Sequence, residues 1–346
     1  MHPIDLRSDT VTLPTNEMLE AISKAELGDD VFQEDPTVNK LEHLAAKTFN
    51  KESAIFMPSG TMANLVAVLT HCQRGDEVIL GDQSHTFLYE AGGISSFGGV
   101  HSRQIKNYDD GTMLLEDIKN SIRKKDVHFP PSRLVCLENT HNRCFGMPLD
   151  INYINKVSEI VKNNSMMLHV DGARIFNAAA ALNKSVAELT SEVDSVSFCL
   201  SKGLSAPSGS LLCGKKEFIE KARFNRKALG GGMRQSGILA AAGIVALNEM
   251  PKKIINDHQN ASILAKGLNE ISGISIDLEK VKTNIIYFKL DHSKIDSVTL
   301  INSMLKKNIK FFELGPNWFR LVTHAGINEE DIEHVLIQFK GLFSKI

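Results

Sequence analysis

Short apolar runs alternate with longer amphipathic segments over the first two thirds of the chain. Apolar runs bounded by turn residues predict buried strands, and the segments between them, including 62–71, 151–162 and 175–181, predict helices. The predicted strands are Ala54–Met57, Glu77–Leu80, Arg133–Leu137, Met166–Val170, Asp194–Leu200 and Ser210–Cys213. This alternation predicts parallel βαβ units, and hence an α/β fold with a mostly parallel central sheet flanked by helices.

The pattern changes towards the end of the chain. An amphipathic segment at 254–268 predicts a helix that leads into a second domain. The elements predicted there are strands Asn284–Lys289, Lys310–Phe312 and Trp318–Leu321 and helices Ile295–Lys306 and Glu329–Phe343. We therefore predict an N-terminal arm and large domain at 1–249 and a smaller C-terminal α+β domain at 250–346.

Polar residues follow several of the predicted strands at the point where each strand ends. They are Ser59-Gly60-Thr61, His85, Glu138, Asp171 to Arg174, and Lys202. In parallel sheets, functional groups gather beyond the carboxyl ends of the strands. The sequence therefore predicts that these residues meet in one site.

Lys202 follows the predicted strand that ends at Leu200 and precedes Gly203. A lysine at the end of a buried strand is costly to desolvate unless its amine is used. A desolvated amine is a good nucleophile toward an aldehyde, which favours a Schiff base with an aldehyde cofactor. The alternative is a lysine that caps an exposed strand end.

The other strand-end residues suit an aldehyde cofactor that carries a phosphate and a pyridine ring. Gly60 and Thr61 open a helix, where free N–H groups bind anions, although Ser-Gly-Thr is also an ordinary helix N-cap. Asp171 could pair with a protonated ring nitrogen, and its alternative is again a helix cap. His85 could stack on the ring. The basic candidates for the phosphate are Lys227 and Arg234, and those for a substrate carboxylate are Ser8, Arg174 and Arg320.

Composition narrows the function classes. The 346 residues carry a formal net charge of -2 with acidic and basic residues interleaved, which gives no indication of nucleic acid or an anionic membrane as a partner. We find no signal core and no apolar run long enough to span a bilayer. The five cysteines are scattered without a C-x-x-C pair, which is typical of reduced thiols in a cytoplasmic enzyme. The acidic loop at 28–36 has no metal-ligand spacing, and we predict no metal site.

Several longer motifs are together far more specific than any one of them. They are Asp5-Leu6-Arg7-Ser8-Asp9-Thr10-Val11-Thr12, Gly28-Asp29-Asp30-Val31, Pro58-Ser59-Gly60-Thr61-Met62-Ala63-Asn64-Leu65, Glu90-Ala91-Gly92-Gly93, Leu137-Glu138-Asn139-Thr140-His141-Asn142, His169-Val170-Asp171-Gly172-Ala173-Arg174, Leu200-Ser201-Lys202-Gly203-Leu204, Gly230-Gly231-Gly232-Met233-Arg234-Gln235-Ser236-Gly237 and Arg320-Leu321-Val322-Thr323-His324. With these motifs the chain resembles the low-specificity L-threonine aldolases. These are pyridoxal 5'-phosphate (PLP) enzymes of the aspartate-aminotransferase-like fold, fold type I.

The resemblance implies a set of roles for residues of this chain. Lys202 would form the Schiff base with PLP, and Asp171 would contact the pyridine nitrogen. The further cofactor-binding residues implied are Gly60, Thr61, His85, Arg174 and Lys227. The substrate-binding residues implied are Ser8, His85, His128, Arg174 and Arg320.

The resemblance also implies an activity: reversible aldol cleavage of L-threonine or L-allo-threonine to glycine and acetaldehyde. Catalysis would fall to Lys202, His85 and His128. His128 matches a family histidine near the substrate hydroxyl, and both a role as base and a role in holding a water are open. Partners would be a small amino-acid substrate and further copies of the chain, as a homotetramer with active sites at a dimer interface.

Two residues depart from the pattern of the relatives, and other functions compete. Phe32 stands where many relatives carry tyrosine, and Tyr89 where others carry phenylalanine. The nearest alternative is another PLP lyase of this fold that performs β-elimination, and a non-catalytic binding protein is the more distant one. A nicotinamide dehydrogenase is disfavoured because Gly230-Gly231-Gly232 is not a G-x-G-x-x-G motif after a strand.

Overall fold

The computed structural model describes residues 3–344. Its strands, in chain order, are β1 (Ile4–Asp5), β2 (Ser53–Met57), β3 (Glu77–Gly81), β4 (His101–Ile105), β5 (Ser132–Glu138), β6 (Met167–Asp171), β7 (Ser195–Cys199), β8 (Ser210–Gly214), β9 (Ile274–Ser275), β10 (Ile285–Leu290), β11 (Ile309–Lys310), β12 (Phe312–Gly315) and β13 (Trp318–Val322). Its α-helices are α1 (Asn16–Ser23), α2 (Pro36–Thr48), α3 (Gly60–His71), α4 (His85–Leu88), α5 (Gly93–Ser96), α6 (Leu115–Ser121), α7 (Ile151–Asn163), α8 (Ile175–Leu182), α9 (Val186–Leu189), α10 (Lys216–Ala228), α11 (Gly237–Glu249), α12 (Ile254–Asn269), α13 (Ser297–Leu305) and α14 (Glu329–Phe343). Short 3-10 helices lie at Asp9–Val11, Asp30–Phe32, Met250–Lys252 and Leu278–Lys280.

Seven strands form the central sheet, in the order β2-β8-β7-β6-β5-β3-β4. The predicted mostly parallel sheet is confirmed, with one local difference. β8 runs antiparallel to both of its neighbours, β7 and β2. Only residues 200–209 connect β7 to β8, and they contain no helix. Such a short connection cannot make the crossover that a parallel pair needs, so the chain turns back as a hairpin.

The edge strand β4 was not predicted. Its sequence, His-Ser-Arg-Gln-Ile, is polar on both sides, and none of its side chains is fully buried. It lies at the end of the sheet and pairs only with β3. The apolar pattern that marks the inner strands is therefore absent, because an edge strand need not bury both faces.

A second hydrophobic core lies in the C-terminal part of the chain. The antiparallel sheet β12-β13-β10-β9 packs there with helices α12, α13 and α14 around Phe288, Phe319 and Phe339. The N-terminal arm joins this second core, because β1 pairs in parallel with β11 and Leu6 is fully buried in it. The predicted large domain included the arm, whereas the structure packs the arm's first residues with the smaller unit.

Helix α3 lies across one face of the sheet, in contact with β5, β6, β7 and β8. It begins at the carboxyl end of the parallel strands and ends at their amino end. All five cysteines are buried free thiols. Between residues 3 and 344, no helix is both long enough and apolar enough to cross a membrane.

Candidate active site

The predicted strand-end residues meet at a cavity of about 210 Å³ at the carboxyl edge of the parallel strands. Five of the predicted site residues line it together with Lys202. The full lining is Pro58, Ser59, Gly60, Thr61, Asn64, His85, Glu90, Glu138, Asp171, Ala173, Arg174, Cys199, Ser201 and Lys202. The sequence-based expectation of a single site at this edge therefore matches the geometry.

Lys202 offers a free amine to this cavity. The residue is half-buried just beyond β7, and no residue between 3 and 344 forms a hydrogen bond or ion pair with its Nζ. Its backbone is held instead, since its carbonyl accepts hydrogen bonds from Thr12 Oγ1 at 3.0 Å and from the Ser205 amide at 2.8 Å. A fixed backbone with an unpaired amine is the arrangement that a lysine nucleophile needs.

Asp171 ends β6 and is buried in the wall of the cavity. Its Oδ2 accepts a hydrogen bond from Asn64 Nδ2, and its Oδ1 accepts one from the Ala173 amide, at 2.8 and 3.1 Å. An ionised carboxylate has about four lone-pair sites, so both oxygens can accept a further donor. The carboxylate is thus held in place and still able to bind a protonated ring nitrogen.

His85 opens α4 and is oriented by two glutamates. Its amide donates to Glu138 Oε2 at 2.7 Å, and its ring Nδ1 lies 2.8 Å from Glu90 Oε1. Burial opposes protonation of the ring, but the hydrogen bond to Glu90 and the charge of Asp171 outweigh it and raise the pKa of His85. Burial raises the pKa of Glu90. Because Glu90 holds Nδ1, the ring nitrogen of His85 that remains for a ligand is Nε2.

His85, Glu90 and Asp171 also bring metal-ligand atoms within 4.8 Å of one another. These atoms already bond to each other or to Asn64, whose Nδ2 donates to both carboxylates. A cation would have to displace the amide from between the two carboxylates. The three residues are better explained as the hydrogen-bonded floor of an organic ligand's site.

The first turn of α3 lines the cavity and has the chemistry of an anion site. The Ser59 side chain caps the helix by accepting from the Met62 amide at 3.2 Å. The amides of Gly60 and Thr61 lie in the first turn, where N–H groups have no intrahelical partner. A Cβ on Gly60 would lie 2.8 Å from Cys199 Sγ, so only glycine fits there without a shift.

The two predicted basic phosphate ligands do not line this cavity. Lys227 is exposed near the end of α10, with its side chain against Gly232. Arg234 is exposed and forms an ion pair with Asp29 at 2.9 Å. Among residues 3–344 of one chain, the first turn of α3 therefore offers amides and hydroxyls to an anion without help from Lys227 or Arg234.

Arg174 is tied to a buried carboxylate of the N-terminal arm. Asp9, in the 3-10 helix that Ser8 caps, accepts from Arg174 Nε at 2.8 Å and from Nη2 at 2.6 Å. This pair leaves Nη1 of Arg174 for a ligand. Burial opposes ionisation of Asp9, but the charge and hydrogen bonds of Arg174 hold the pKa of Asp9 at about 2. Sequence reasoning did not assign this role to Asp9.

Arg320 lies close to Arg174 without lining the cavity. Its Nη1 donates to Asn142 Oδ1 at 2.8 Å and its Nη2 to the Arg7 carbonyl at 2.9 Å, while its buried Nε has no partner. Burial and the nearby charge of Arg174 lower the pKa of Arg320. Arg174 is paired with Asp9, whereas Arg320 forms no ion pair with any residue from 3 to 344, and this excess positive charge favours binding of a carboxylate from a ligand.

His128 is outside the cavity. It lies in the loop between α6 and β5, with its side chain 80% exposed and its Nδ1 2.6 Å from Asp126 Oδ1. The structure of one chain does not bring His128 to Lys202. Its role near a substrate hydroxyl stays a prediction.

The structure adds Asn64, Glu90 and Asp9 to the site. Asn64 is the one polar residue in the apolar run 62–69 of α3, and that exception to the pattern was visible in the sequence. Glu90 and Asp9 lie in short polar segments whose composition does not separate a buried carboxylate from a solvated one.

Breaking the Asp9–Arg174 pair should strongly destabilise the fold. In Asp9→Asn the buried guanidinium loses its counter-charge, which costs on the order of 3–5 kcal/mol of unfolding free energy at neutral pH. The pKa of Asp9 falls from 3.8 to about 2 on folding, so its contribution is complete above pH 3.8 and lost as the pH falls through about 2. Urea unfolding from pH 7 down to pH 2 should therefore show a smaller loss of stability in acid for Asp9→Asn than for the wild type.

The matched control is Glu192→Gln, which breaks the exposed Lys162–Glu192 pair. Exposed pairs contribute about 0–1 kcal/mol, so this variant should unfold nearly as the wild type does. Equal stabilities of the two variants at pH 7 would contradict the importance of the buried pair.

Comparison with known proteins agrees with this geometry. The beta-eliminating lyase family matches residues 5–291. The chain belongs to this family. One similar protein is low-specificity L-threonine aldolase 1 of Arabidopsis thaliana, which is 47% identical to this chain over 98% of this chain and 96% of that protein.

Two solved structures show the family's fold in this chain. The threonine aldolase of Leishmania major superposes with a TM-score of 0.85 at 19% identity, covering 99% of this chain and all of that one. A structure of SPT with PLP superposes with a TM-score of 0.77 at 18% identity, covering 98% of this chain and 87% of that chain. The fold is therefore the PLP fold type I that the sequence resemblance implied.

The residues of this beta-eliminating lyase family member fit PLP. The unpaired Lys202 amine suits the aldehyde, and the held Asp171 carboxylate suits the ring nitrogen. The first turn of α3, with its uncommitted amides, suits the phosphate. Buried Glu90 Oε2 and Arg320 Nε are further polar atoms without a partner among residues 3–344.

Proposed function

We propose that the protein is a PLP-dependent low-specificity L-threonine aldolase, which cleaves L-threonine or L-allo-threonine reversibly to glycine and acetaldehyde. The observation that carries the proposal is the free Lys202 amine in one cavity with Asp171, next to a pair of arginines that can take a carboxylate. The curated relative from Arabidopsis thaliana is named for this activity, and its similarity spans nearly the whole of both chains.

When bound, PLP supplies an electron-accepting ring that takes up the electron pair of the broken bond. The side chains of this chain bind and orient the reactants around it. Arg174 Nη1 and Arg320 would hold the substrate carboxylate, with Ser8 beside them, and so fix which bond at Cα faces the ring. Asp171 would hold the proton on the ring nitrogen. The first turn of α3 would anchor the phosphate.

Cleavage of the Cα–Cβ bond requires a base for the hydroxyl proton and then a proton for Cα. Among the histidines of residues 3–344, His85 is the one in the cavity lining, with its Nδ1 held by Glu90. Its free ring nitrogen can accept the hydroxyl proton as the carbonyl of acetaldehyde forms. His128 can serve there only if its loop, or the loop of another copy of the chain, moves over the cavity.

The products from L-threonine decide between this function and β-elimination. We expect the PLP-loaded protein to release glycine and acetaldehyde in equal amounts, as measured by amino-acid analysis and by coupled reduction of the aldehyde. Ammonia with a keto acid would instead assign the protein to the eliminating lyases. If the protein binds PLP but forms neither set of products, both functions are refuted.

We also propose that the protein is a cytoplasmic homotetramer with active sites at a dimer interface. Lys227 and Arg234 lie outside their own chain's cavity, and Phe32 and Leu13 are apolar side chains that are more than two-thirds exposed. These features suit residues that reach a neighbouring subunit. Light scattering should give a mass of four 38.2 kDa chains, and a monomer with full activity would refute the shared site.

A further inference from the structure

A line of polar side chains crosses the apolar interior between α3 and the sheet. We name Asn64, His71, His169, Ser195 and Ser197 the polar seam. Asn64 and His71 lie two turns apart on one face of α3. His169 lies two residues before Asp171 on β6. The neighbouring strand β7 contributes Ser195, which pairs with His169, and Ser197, which pairs with Asp171. The spacing on all three elements places the seam under the active site.

The carboxylates of Glu90 and Asp171, at one end of the seam, fix the direction of its hydrogen bonds. Asn64 Nδ2 lies 2.8 Å from both Glu90 Oε1 and Asp171 Oδ2, so its amide hydrogens must face these carboxylates. Its Oδ1 then faces His169 Nε2 at 3.3 Å and accepts from Ser197 Oγ at 2.7 Å. An amide oxygen only accepts, so His169 carries its proton on Nε2.

The same reasoning continues to the far end of the sheet. His169 Nδ1 has no proton and therefore accepts from Ser195 Oγ at 2.9 Å. Ser195 Oγ in turn accepts from His71 Nε2 at 2.7 Å. Every donor in the series His71, Ser195, His169 and Asn64 thus points toward Asp171. Burial lowers the pKa of His71 to about 3 and that of His169 to about 4, which keeps both rings neutral.

His71 connects the seam to the opposite surface. Its ring stacks on Phe218 with centroids 4.3 Å apart, and it lines a cavity at the amino end of the strands. Ser195 is fully buried, and His169 is nearly so. The seam is therefore a continuous series of hydrogen bonds, all donated in the same direction, from the amino ends of the strands to their carboxyl ends.

We propose that His71, Ser195 and His169 are positioning residues that fix the Asn64 amide, and through it the Asp171 carboxylate, from the far end of the sheet. A reversed Asn64 amide would set its oxygen against two carboxylates and leave His169 Nε2 opposite a donor. The seam excludes that state and keeps Asp171 aimed at the ring nitrogen. This inference rests on the proposed function for its effect on PLP.

The first test needs no cofactor and reads the histidine tautomers by ¹⁵N NMR of the unloaded protein. At pH 7 we expect His71 and His169 to be neutral with the proton on Nε2. In Ser195→Ala, His71 should become a mixture of tautomers and the Nδ1 resonance of His169 should shift. The proposal is overturned if the proton of His169 lies on Nδ1 in the wild type, or if Ser195→Ala leaves both rings unchanged.

The second test compares PLP dissociation constants, measured by quenching of protein fluorescence. Ser195→Ala should weaken PLP binding about tenfold, the lower end of the range for outer partners of a bound group. The control is Ser158→Ala, which deletes another buried hydroxyl, bonded to the Glu192 carbonyl at 2.8 Å, and should bind within about twofold of the wild type. Equal effects of the two variants would overturn the positioning role.

A second variant guards against misfolding of Ser195→Ala. His71 is only partly buried, and His71→Phe keeps the stacking on Phe218 while it removes the terminal donor. It should weaken PLP binding in the same direction. If the wild type itself binds no PLP, the proposed function fails, and the tautomer measurement still decides on the seam.

Discussion

Lys202→Ala should reduce the cleavage of L-threonine by more than about 10³-fold, because alanine has no amine to react with the cofactor aldehyde. The amine has no hydrogen-bond or ion-pair partner in residues 3–344, so its loss removes no such bond. The melting temperature of the variant without PLP should therefore stay close to that of the wild type. Acetaldehyde release under saturating L-threonine and PLP measures the effect.

The covalent bond itself gives a direct check. Reduction of the PLP-loaded wild type with borohydride, followed by digestion and mass spectrometry, should place the modified residue on the peptide that contains Lys202. Lys162→Ala is the control, since Lys162 forms an exposed ion pair with Glu192 far from the cavity. A modified peptide elsewhere, or an active Lys202→Ala protein, would refute the assignment of the nucleophile.

Asp171→Asn should lower kcat by about 10²–10³-fold while PLP still attaches to Lys202. An amide cannot neutralise a protonated ring nitrogen, so the ring no longer accepts electrons efficiently. The KM for L-threonine should change much less, because the carboxylate of the substrate is held by the arginines. Steady-state kinetics and the borohydride experiment together separate lost chemistry from lost binding.

Asp194→Asn provides the matched control at the amino ends of the strands. Asp194 precedes β7 and accepts from the Leu168 amide at 2.8 Å, a hydrogen bond that an asparagine oxygen can keep. This variant should retain kcat. A comparable loss in both variants would show that sheet stability, and not the ring nitrogen, limits the activity of Asp171→Asn.

The inner strands could be predicted from the sequence because they are buried on both faces. The buried parts of β5, β6 and β7 are mostly apolar or small residues, with His169 as an exception, and the residues at and after their ends carry the candidate site. The edge strand β4 could not be predicted, since it buries neither face fully. The reversed direction of β8 could be recognised only from the length of its connection to β7.

The candidate site was predictable where a residue follows a strand and unpredictable where it depends on a distant partner. Gly60, His85, Asp171, Arg174 and Lys202 are brought together by the sheet edge alone. Lys227, Arg320 and His128 lie outside the cavity lining of the single chain, and their roles there stay predictions. Lys227 and Arg320 were proposed because their side chains are basic, whereas His128 was suggested by the family resemblance alone.

By itself, the sequence determined the α/β class, the edge of the sheet that carries the chemistry, and the lysine and aspartate suited to PLP. Those follow from local pattern, because burial, strand ends and helix starts are set by neighbouring residues. Only the tertiary structure decided that Asp9 pairs with Arg174 across 165 positions and that His71 connects to Asp171 through Ser195, His169 and Asn64. Such pairs are decided by how elements distant in sequence pack, and the desolvation of a buried polar group then forces each one to find its partner.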